Sequence, residues 1–225
     1  MPRSTLRRAA FAGALCLTAT TATAASAAAQ TSGHARLQGS HRSEGLPDGV
    51  KVGVSAKRLN VRSGGRVTVT GRVAASGPTT AALQIKRHAR WITLDRDRTG
   101  RRGRYVLRDR IRRTLSVPAR LRLNDGTTRR LGRLNVYRTS YASWYGPGLY
   151  GNRLGCGGTL TAGRLGVAHK SLPCGAKVTL RHGGRVLRVP VIDRGPYVGG
   201  REFDLTAATA QRLRFHGHGA IQVAN

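Results

Sequence analysis

Apolar and polar residues alternate along the first half of the chain. The alternating apolar positions are Val50, Val52 and Val54 and, after a Gly-Gly turn, Val67, Val69, Gly71 and Val73. A period of two is typical of strands with one buried face. Short apolar runs at 82–85, 91–94, 104–107, 119–123 and 131–137 continue the series. Their regular spacing between glycine-rich turns predicts an antiparallel β-sandwich over residues 49–138.

The last third of the chain also consists of short apolar runs between glycine-rich turns. These runs predict strands at 141–145, 177–180, 186–192 and 220–223, with a tight turn at 182–184. One stretch differs, because Thr206 can cap a helix that continues through Ala207, Ala208, Ala210 and Leu213 and ends before Gly217. The pattern therefore predicts a mainly β chain with one short helix.

The first 48 residues lack this periodicity. Arginines at positions 3, 7 and 8 precede an apolar run and the small residues Ala27-Ala28-Ala29, which predicts a secretory signal peptide over residues 1–29. Residues 30–48 are polar and predict a disordered linker. Since no other segment has the eighteen or so apolar residues of a membrane span, we expect a secreted or cell-wall-associated monomer without an integral membrane segment.

Three cysteines are present, and Cys16 lies within the predicted signal peptide. Cys156 and Cys174 remain, and an even pair in an exported chain predicts one disulfide. The spacing of these cysteines and the scattered histidines match no zinc site, and no glycine pattern indicates a nucleotide site. We therefore expect neither a metal nor a cofactor.

The charge of the chain points to a polyanionic partner. The sequence has 40 Lys and Arg against 9 Asp and Glu, and residues 30–139 carry a net +20 against +8 for residues 140–225. Export and the lack of any recognition module argue against nucleic acid. The expected counter-charges are anionic wall polymers such as teichoic acids, anionic lipids and peptidoglycan carboxylates. The first domain (49–138) is thus predicted to be an electrostatic anchor, the alternative being an ordinary solvated basic surface.

Five blocks of the last third have the order and spacing of a known domain family. They are Ala142-Ser143-Trp144-Tyr145-Gly146, Leu160-Thr161-Ala162, Ala168-His169-Lys170 with Leu172-Pro173, Val191-Ile192-Asp193-Arg194-Gly195-Pro196-Tyr197, and Phe203-Asp204-Leu205-Thr206. On these blocks, residues 139–225 resemble the RlpA family. The resemblance implies a six-stranded double-psi β-barrel with a polysaccharide groove, and lytic cleavage of peptidoglycan glycan strands. It also extends to expansins, which share the barrel and the counterparts of Asp193 and Asp204 and loosen walls without hydrolysis.

A weaker resemblance concerns the first domain. Trp91, the turn at 100–103 and Tyr105 loosely resemble bacterial immunoglobulin-like repeats. The expected architecture is an N-terminal immunoglobulin-like β-sandwich followed by the barrel.

Carboxyl groups are scarce in the predicted barrel domain, which contains Asp193, Glu202 and Asp204 and no others. An ordinary glycosidase uses two carboxyl groups. A lytic transglycosylase can use one, which protonates the glycosidic oxygen and then accepts the proton of the sugar's own C6 hydroxyl as a 1,6-anhydro ring closes. The scarcity favours the lytic route or no catalysis.

Three residues are candidates for the chemistry. Asp193 ends an apolar strand before a sharp turn and is predicted to be the general acid and base. The alternative is a turn-capping residue or the partner of Arg194 in a salt bridge. Asp204 is predicted to line the groove, or else only to stabilise the N-terminus of the helix. His169 is predicted to orient Asp193 or to bind a sugar hydroxyl, with a purely structural role as the alternative.

Substrate-binding roles are expected for residues of the matched blocks, namely Trp144, Tyr145, Thr161, Arg194 and Tyr197. Gly155-Cys156-Gly157-Gly158-Thr159 stands where many members of the RlpA family carry acidic residues, a departure that bears on catalysis. Three functions stay open: a lytic transglycosylase, a non-catalytic expansin-like module, and a secreted barrel that inhibits a protease.

Overall fold

The computed structural model describes residues 50–225, in which thirteen strands, one α-helix and one short 3₁₀ segment are found. The strands are β1 (Lys51–Arg58), β2 (Asn60–Arg62), β3 (Arg66–Ala74), β4 (Thr80–Arg87), β5 (Arg90–Arg98), β6 (Arg104–Arg110), β7 (Leu115–Leu123), β8 (Thr128–Tyr145), β9 (Val167–Ala168), β10 (Lys177–His182), β11 (Arg185–Asp193), β12 (Phe203–Thr206) and β13 (Gly219–Ala224). Helix α1 spans Ala207–Leu213 and the 3₁₀ segment Arg101–Gly103. The prediction of a mainly β chain with a short helix is confirmed, whereas the predicted signal peptide and linker lie outside the described residues.

Two sheets enclose the apolar core of the first half. One is the antiparallel sheet β1-β3-β6, and the other contains β5, β4, β7, the first part of β8, and β2 at its edge. Alternate residues of β3 point into the core, where Val67 and Val69 are fully buried together with Leu83 and Leu121 of the opposite sheet. The alternating apolar residues predicted for β3 thus lie in the core. That the two sheets form an immunoglobulin-like sandwich stays a prediction.

Strand β8 crosses the predicted domain boundary at residue 138 without a break. Its first part pairs with β7 and β2, and its last part, from Arg138 to Tyr145, pairs with β13 and β12. Two separate strands were expected here because Arg138 and Thr139 interrupt the apolar pattern. One continuous strand therefore belongs to both halves of the described chain.

The second half is a closed barrel of six strands. The order is β12-β9-β11-β10-β13-β8, and β12 also pairs with β8, which closes the ring. Pairs β9–β11 and β8–β12 are parallel, whereas the other four are antiparallel. Fully buried side chains such as Phe203, Leu180 and Val223 fill the interior.

Local signals in the barrel agree with the predictions. Gly183 and Gly184 have φ of +52° and +80° and form the two-residue turn between β10 and β11, as a type I′ turn requires. The Thr206 hydroxyl accepts a hydrogen bond from the amide of Thr209 and caps α1. No helix within the described residues is long and apolar enough to cross a membrane.

Candidate active site

The sheet register brings the two predicted aspartates into one row across the barrel wall. Ala168 of β9 pairs with Asp193 of β11 on one side and with Asp204 of β12 on the other. Asp204 in turn pairs with Ser143 of β8, so four neighbouring strands contribute one residue each. The alternating neighbours Ala142, Val167, Phe203 and Leu205 fill the barrel interior. Because successive side chains point to opposite faces, the row lies on the outer surface of the barrel.

Ala168 determines the space between the two carboxylates. Two strand spacings separate the backbones of Asp193 and Asp204 by about 10 Å. The residue between them contributes only a methyl group, and Ala168 itself is 3 % exposed. A small side chain at this position leaves room for a substrate oxygen between two partly buried carboxylates.

Backbone amides hold the carboxyl group of Asp193. Its Oδ1 accepts hydrogen bonds from the amides of Gly155 at 2.7 Å and Arg194 at 2.8 Å. A Cβ at position 155 would lie 3.1 Å from Oδ1 and 2.9 Å from Cγ of Arg194, so the close approach favours glycine. The bond from Arg194 is the predicted turn-capping contact, and the two bonds leave Oδ2 as the oxygen that can carry a proton.

The side chain of Arg194 contacts the loop that contains Cys174. Its guanidinium donates to the carbonyl oxygens of His169 at 3.2 Å and Leu172 at 2.7 Å, and it lies 2.9 Å from Sγ of Cys174. It forms no ion pair with any carboxylate in the described part of the chain. The predicted substrate-binding role of Arg194 therefore stays a proposal, beside a structural role that the contacts show.

The predicted disulfide between Cys156 and Cys174 is present, with the Cα atoms 5.5 Å apart. The amide of Cys156 also donates to the carbonyl of Ile192, at the end of β11. The disulfide thus joins the loop that supplies the Gly155 amide to the loop held by Arg194. Both loops are fixed beside Asp193.

Asp204 is held by strand pairing and by a serine. Its Oδ1 accepts a hydrogen bond from the hydroxyl of Ser143, the residue opposite it in β8. The α-helix is capped by Thr206 and has no acidic residue in its first turn. The alternative of Asp204 as a helix-stabilising residue thus has no contact to support it.

Tyr145 presents a buried hydroxyl to this row. It lies two residues after Ser143 on β8 and shares its face. The hydroxyl has no hydrogen bond of good geometry within residues 50–225, and the carboxylate of Asp193 is the neighbouring group to which it can donate. Burial raises the pKa of Tyr145, and the carboxylates of Asp193 and Asp204 raise it further. A neutral donor therefore faces both aspartates.

His169 does not make the predicted side-chain contact with Asp193. Its Nδ1 accepts from the amides of Ser171 and Leu172, and its Nε2 lies 3.5 Å from Oε1 of Glu202. Only its backbone amide reaches Asp193, at the main-chain carbonyl. His169 follows the end of β9, and the loop amides of Ser171 and Leu172 hold its ring away from Asp193.

Glu202 is the carboxylate that sequence reasoning left out. Its oxygens accept from both Nη atoms of Arg138, with Nη1 at 2.6 Å from Oε2, and from Ser140 Oγ at 2.6 Å. The hydrogen bond from Arg138 is the main cause that lowers the pKa of Glu202 to about 2. Arg138 and Ser140 alternate on one face of β8, and this was the signal that the sequence offered for a carboxylate partner. The signal identifies Glu202 only when the pairing of β8 with β12 is known.

The predicted aromatic and polar substrate contacts are dispersed. Trp144 is 40 % exposed and lines a groove of about 550 Å³ with Tyr150 beside α1, whereas its neighbour Tyr145 faces the carboxylates. Tyr197 is 81 % exposed, and Thr161 is also exposed. Their roles stay predictions. Within residues 50–225, no cluster of His, Cys, Asp or Glu is suited to hold a metal ion.

Comparison with known proteins agrees with this barrel. The double-psi β-barrel family model described as lytic transglycolase matches residues 138–225. Residues 138–225 form an RlpA-like double-psi β-barrel domain. This RlpA-like domain is 42 % identical, over 85 residues, to the probable endolytic peptidoglycan transglycosylase RlpA of Synechocystis sp.. The matched residues make up 37 % of this chain and 26 % of that protein.

Other relatives of the RlpA-like domain give the same result. The endolytic peptidoglycan transglycosylase RlpA of Campylobacter jejuni is 39 % identical over 84 residues, which are 36 % of this chain and 30 % of that protein. The chain spans between about a quarter and two fifths of the curated relatives it matches. Among solved structures, the Streptomyces papain inhibitor is 25 % identical in sequence, with a TM-score of 0.33. The matched region is 39 % of this chain and 92 % of the inhibitor.

Proposed function

We propose that this chain is an exported peptidoglycan lytic transglycosylase that cleaves glycan strands to 1,6-anhydro ends. The row of Asp193, Ala168 and Asp204, with the buried hydroxyl of Tyr145 facing it, is the observation that supports an active site. The names of the relatives support the reaction class for the shared domain.

The proposed reaction needs one proton-transferring group. Oδ2 of Asp193 donates its proton to the glycosidic oxygen as the bond from C1 to that oxygen breaks. The resulting carboxylate then accepts the proton of the C6 hydroxyl while O6 of the same sugar bonds to C1. Asp204, on the other side of Ala168, stabilises the positive charge that develops on the sugar, and Tyr145 donates a hydrogen bond to a substrate oxygen.

The test uses peptidoglycan from which the stem peptides have been removed. Wild-type protein should generate 1,6-anhydro ends detectable by mass spectrometry, and Asp193→Asn should lower their rate of formation by about 10²–10⁴-fold. The variant should keep its melting temperature and its binding to walls. His169→Ala should reduce activity less, since its side chain contacts Glu202. Full activity in Asp193→Asn would transfer the acid role to Asp204.

A non-catalytic, expansin-like function is the second candidate. Two observations favour it: the side chain of His169 does not reach Asp193, and the loop at 155–159 has no carboxylate. In that case wild-type protein makes no anhydro ends, while Asp193→Asn and Asp204→Asn weaken binding to glycan. The same two assays therefore separate the candidates.

We also propose that the basic first half attracts the protein to anionic wall polymers. Residues 30–139 contribute +20 to the formal charge. Binding to purified walls should then weaken steeply with added salt, because exposed charges are screened beyond about 8 Å at physiological ionic strength. Salt-independent binding would contradict this anchoring role.

A further inference from the structure

A groove of about 570 Å³ lies where the first half meets the barrel. Its walls come from the end of β1, from β2, from the middle of β8 and from the turn between β10 and β11. The polar side chains that line it include Arg58, Asn60, Arg62, Thr139, Arg181 and His182. This groove does not include any residue of the candidate active site.

The groove is cationic. It is lined by three arginines and by no aspartate or glutamate. Within residues 50–225, the ion-pair contacts are those of Arg138 and His169 with Glu202, so Arg58, Arg62 and Arg181 have no carboxylate partner there. Their positive charges are uncompensated by that part of the protein and favour an anionic ligand.

Buried hydrogen bonds orient one further donor. The Oδ1 atom of Asn60 accepts from Nδ2 of Asn135 at 2.7 Å and from the hydroxyl of Tyr137 at 3.1 Å. Asn135 is 6 % and Tyr137 1 % exposed, so two buried side chains orient the Asn60 amide. Both bonds use Oδ1, so Nδ2 of Asn60 remains available as a donor.

Tyr137 also contacts Arg181. Its guanidinium carbon lies 5.9 Å from the ring centroid of Tyr137, within the range of a cation–π contact. Residue 181 is partly buried, and the two neighbouring glycines form a tight turn that closes this side of the groove. One arginine of the three is therefore held in place before any ligand binds.

We propose that this groove binds the phosphodiester groups of an anionic wall polymer. The guanidinium group presents a planar pair of N–H donors that matches phosphate oxygens in bidentate geometry, and the Asn60 amide adds a neutral donor. The inference rests on the proposed location at the wall and refines the anchoring role, but it does not require glycan cleavage. It places recognition of the polymer at the junction rather than on the basic surface as a whole.

The test measures binding of soluble poly(glycerol phosphate) by calorimetry near physiological salt. Arg58→Gln/Arg62→Gln/Arg181→Gln is compared with Arg72→Gln/Arg98→Gln/Arg108→Gln, which removes the same charge from exposed positions outside the groove. The groove variant should bind at least about 10-fold more weakly than the control variant, since charge-assisted hydrogen bonds are lost. Equal losses in the two variants would overturn the proposal.

A second variant tests the groove without removing an arginine. Asn60→Asp keeps an acceptor for Asn135 and Tyr137 but replaces the Nδ2 donor by a carboxylate oxygen, so it should weaken polymer binding with little change in melting temperature. Unchanged affinity would contradict the site. Polygalacturonate, a polymer with carboxylates only, should bind more weakly than poly(glycerol phosphate), and equal affinity would refute phosphate recognition.

Activity assays keep this inference separate from the proposed enzyme. Asp193→Asn should bind poly(glycerol phosphate) as wild type does. The groove variants should cleave peptidoglycan stripped of anionic polymers at the wild-type rate. If wild-type protein makes no anhydro ends but the groove variants lose polymer binding, the enzyme proposal fails and the groove proposal stands.

Discussion

Tyr145 combines burial with the lack of a well-formed hydrogen bond. A buried hydroxyl normally has a hydrogen bond, because an unsatisfied one costs about 1–3 kcal/mol of stability. The structure retains this cost at the end of β8, where the hydroxyl faces Asp193 and Asp204. If the proposed function holds, a substrate oxygen completes the contacts of this hydroxyl, which otherwise has only the neighbouring Asp193 to donate to.

Tyr145→Phe should therefore separate stability from activity. Removal of the hydroxyl leaves the ring in place, so the melting temperature should stay the same or rise. Formation of anhydro ends should fall about 3- to 10-fold, because one hydrogen bond between neutral groups is lost. Tyr141→Phe, at a residue 57 % exposed and outside the predicted substrate contacts, is the matched control and should change neither quantity. A destabilised Tyr145→Phe with full activity would show a structural role.

Glu202 predicts how stability depends on pH. Its pKa is lowered from 4.5 to about 2, chiefly by the hydrogen bond from Arg138. The folded state therefore binds this proton less tightly than the unfolded state, and the stabilisation is complete above pH 4.5 and lost as the pH falls towards 2. Glu202→Gln should lower the melting temperature at pH 7 and flatten its decline between pH 4.5 and 2.

The control for this pH experiment is Asp125→Asn, which removes a carboxylate from an exposed turn. It should leave the decline between pH 4.5 and 2 as steep as in wild type. If Glu202→Gln declines as steeply as wild type, the pair of Arg138 and Glu202 does not contribute to the acid sensitivity.

At the scale of elements, period-two alternation was sufficient for the long strands and failed for short ones. It predicted β1 and β3, where apolar residues alternate over several positions, whereas β10 and β11 were predicted from short apolar runs. Strands β2 and β9 have three and two residues, too few for a period to be visible. Their pairing depends on partners distant in the sequence, which no local pattern reports.

In the candidate site too, local sequence blocks predicted residues correctly, whereas contacts between distant residues were missed. The matched blocks predicted Asp193, Asp204 and Tyr145, and the structure brings these three together. The pairing of His169 with Asp193 was wrong as a side-chain contact. His169 lies in the loop after β9, where local amides and Glu202 contact its ring. The partner of Glu202, Arg138, lies 64 residues earlier in the sequence, so only the closure of the barrel reveals it.

The two loops joined by the disulfide form one element that holds Asp193. The double variant Cys156→Ala/Cys174→Ala should be less stable by roughly 3 kcal/mol, since the unfolded chain gains freedom. Activity measured below the melting temperature should also fall, because the Gly155 amide is no longer held at Oδ1 of Asp193.

Protein lacking residues 1–29 should show no titratable thiol before reduction. Two titratable thiols in the native, unreduced protein would contradict the disulfide.

At the scale of the whole molecule, buried polar contacts join the two halves. The hydroxyl of Ser116 in β7 donates to Asn135 of β8 at 2.6 Å and lies 2.8 Å from the hydroxyl of Thr179 in β10. Thr179 is 2 % exposed. Together with the continuous β8, this network makes the described residues a single compact unit. The two halves therefore belong to one unit, with the junction groove between them.

The last prediction is that both halves unfold in one transition. The chain has two tryptophans. Trp91 in β5 lies under the guanidinium of Arg120 at 4.0 Å and reports on the first half, whereas Trp144 in β8 reports on the barrel. The variants Trp91→Phe and Trp144→Phe each leave one fluorescent probe, and each probe should show the same urea midpoint as circular dichroism of the same variant.

Ser116→Ala in each single-tryptophan background tests the cause. The substitution leaves the buried hydroxyl of Thr179 without its partner and should destabilise the protein by about 1–3 kcal/mol. Because β8 couples the halves, the Trp91 and Trp144 midpoints should move together by the same amount. Separate midpoints already in the parent variants, or a shift confined to one probe, would mean that the halves unfold independently and that the junction groove is a contact between two domains rather than a rigid site.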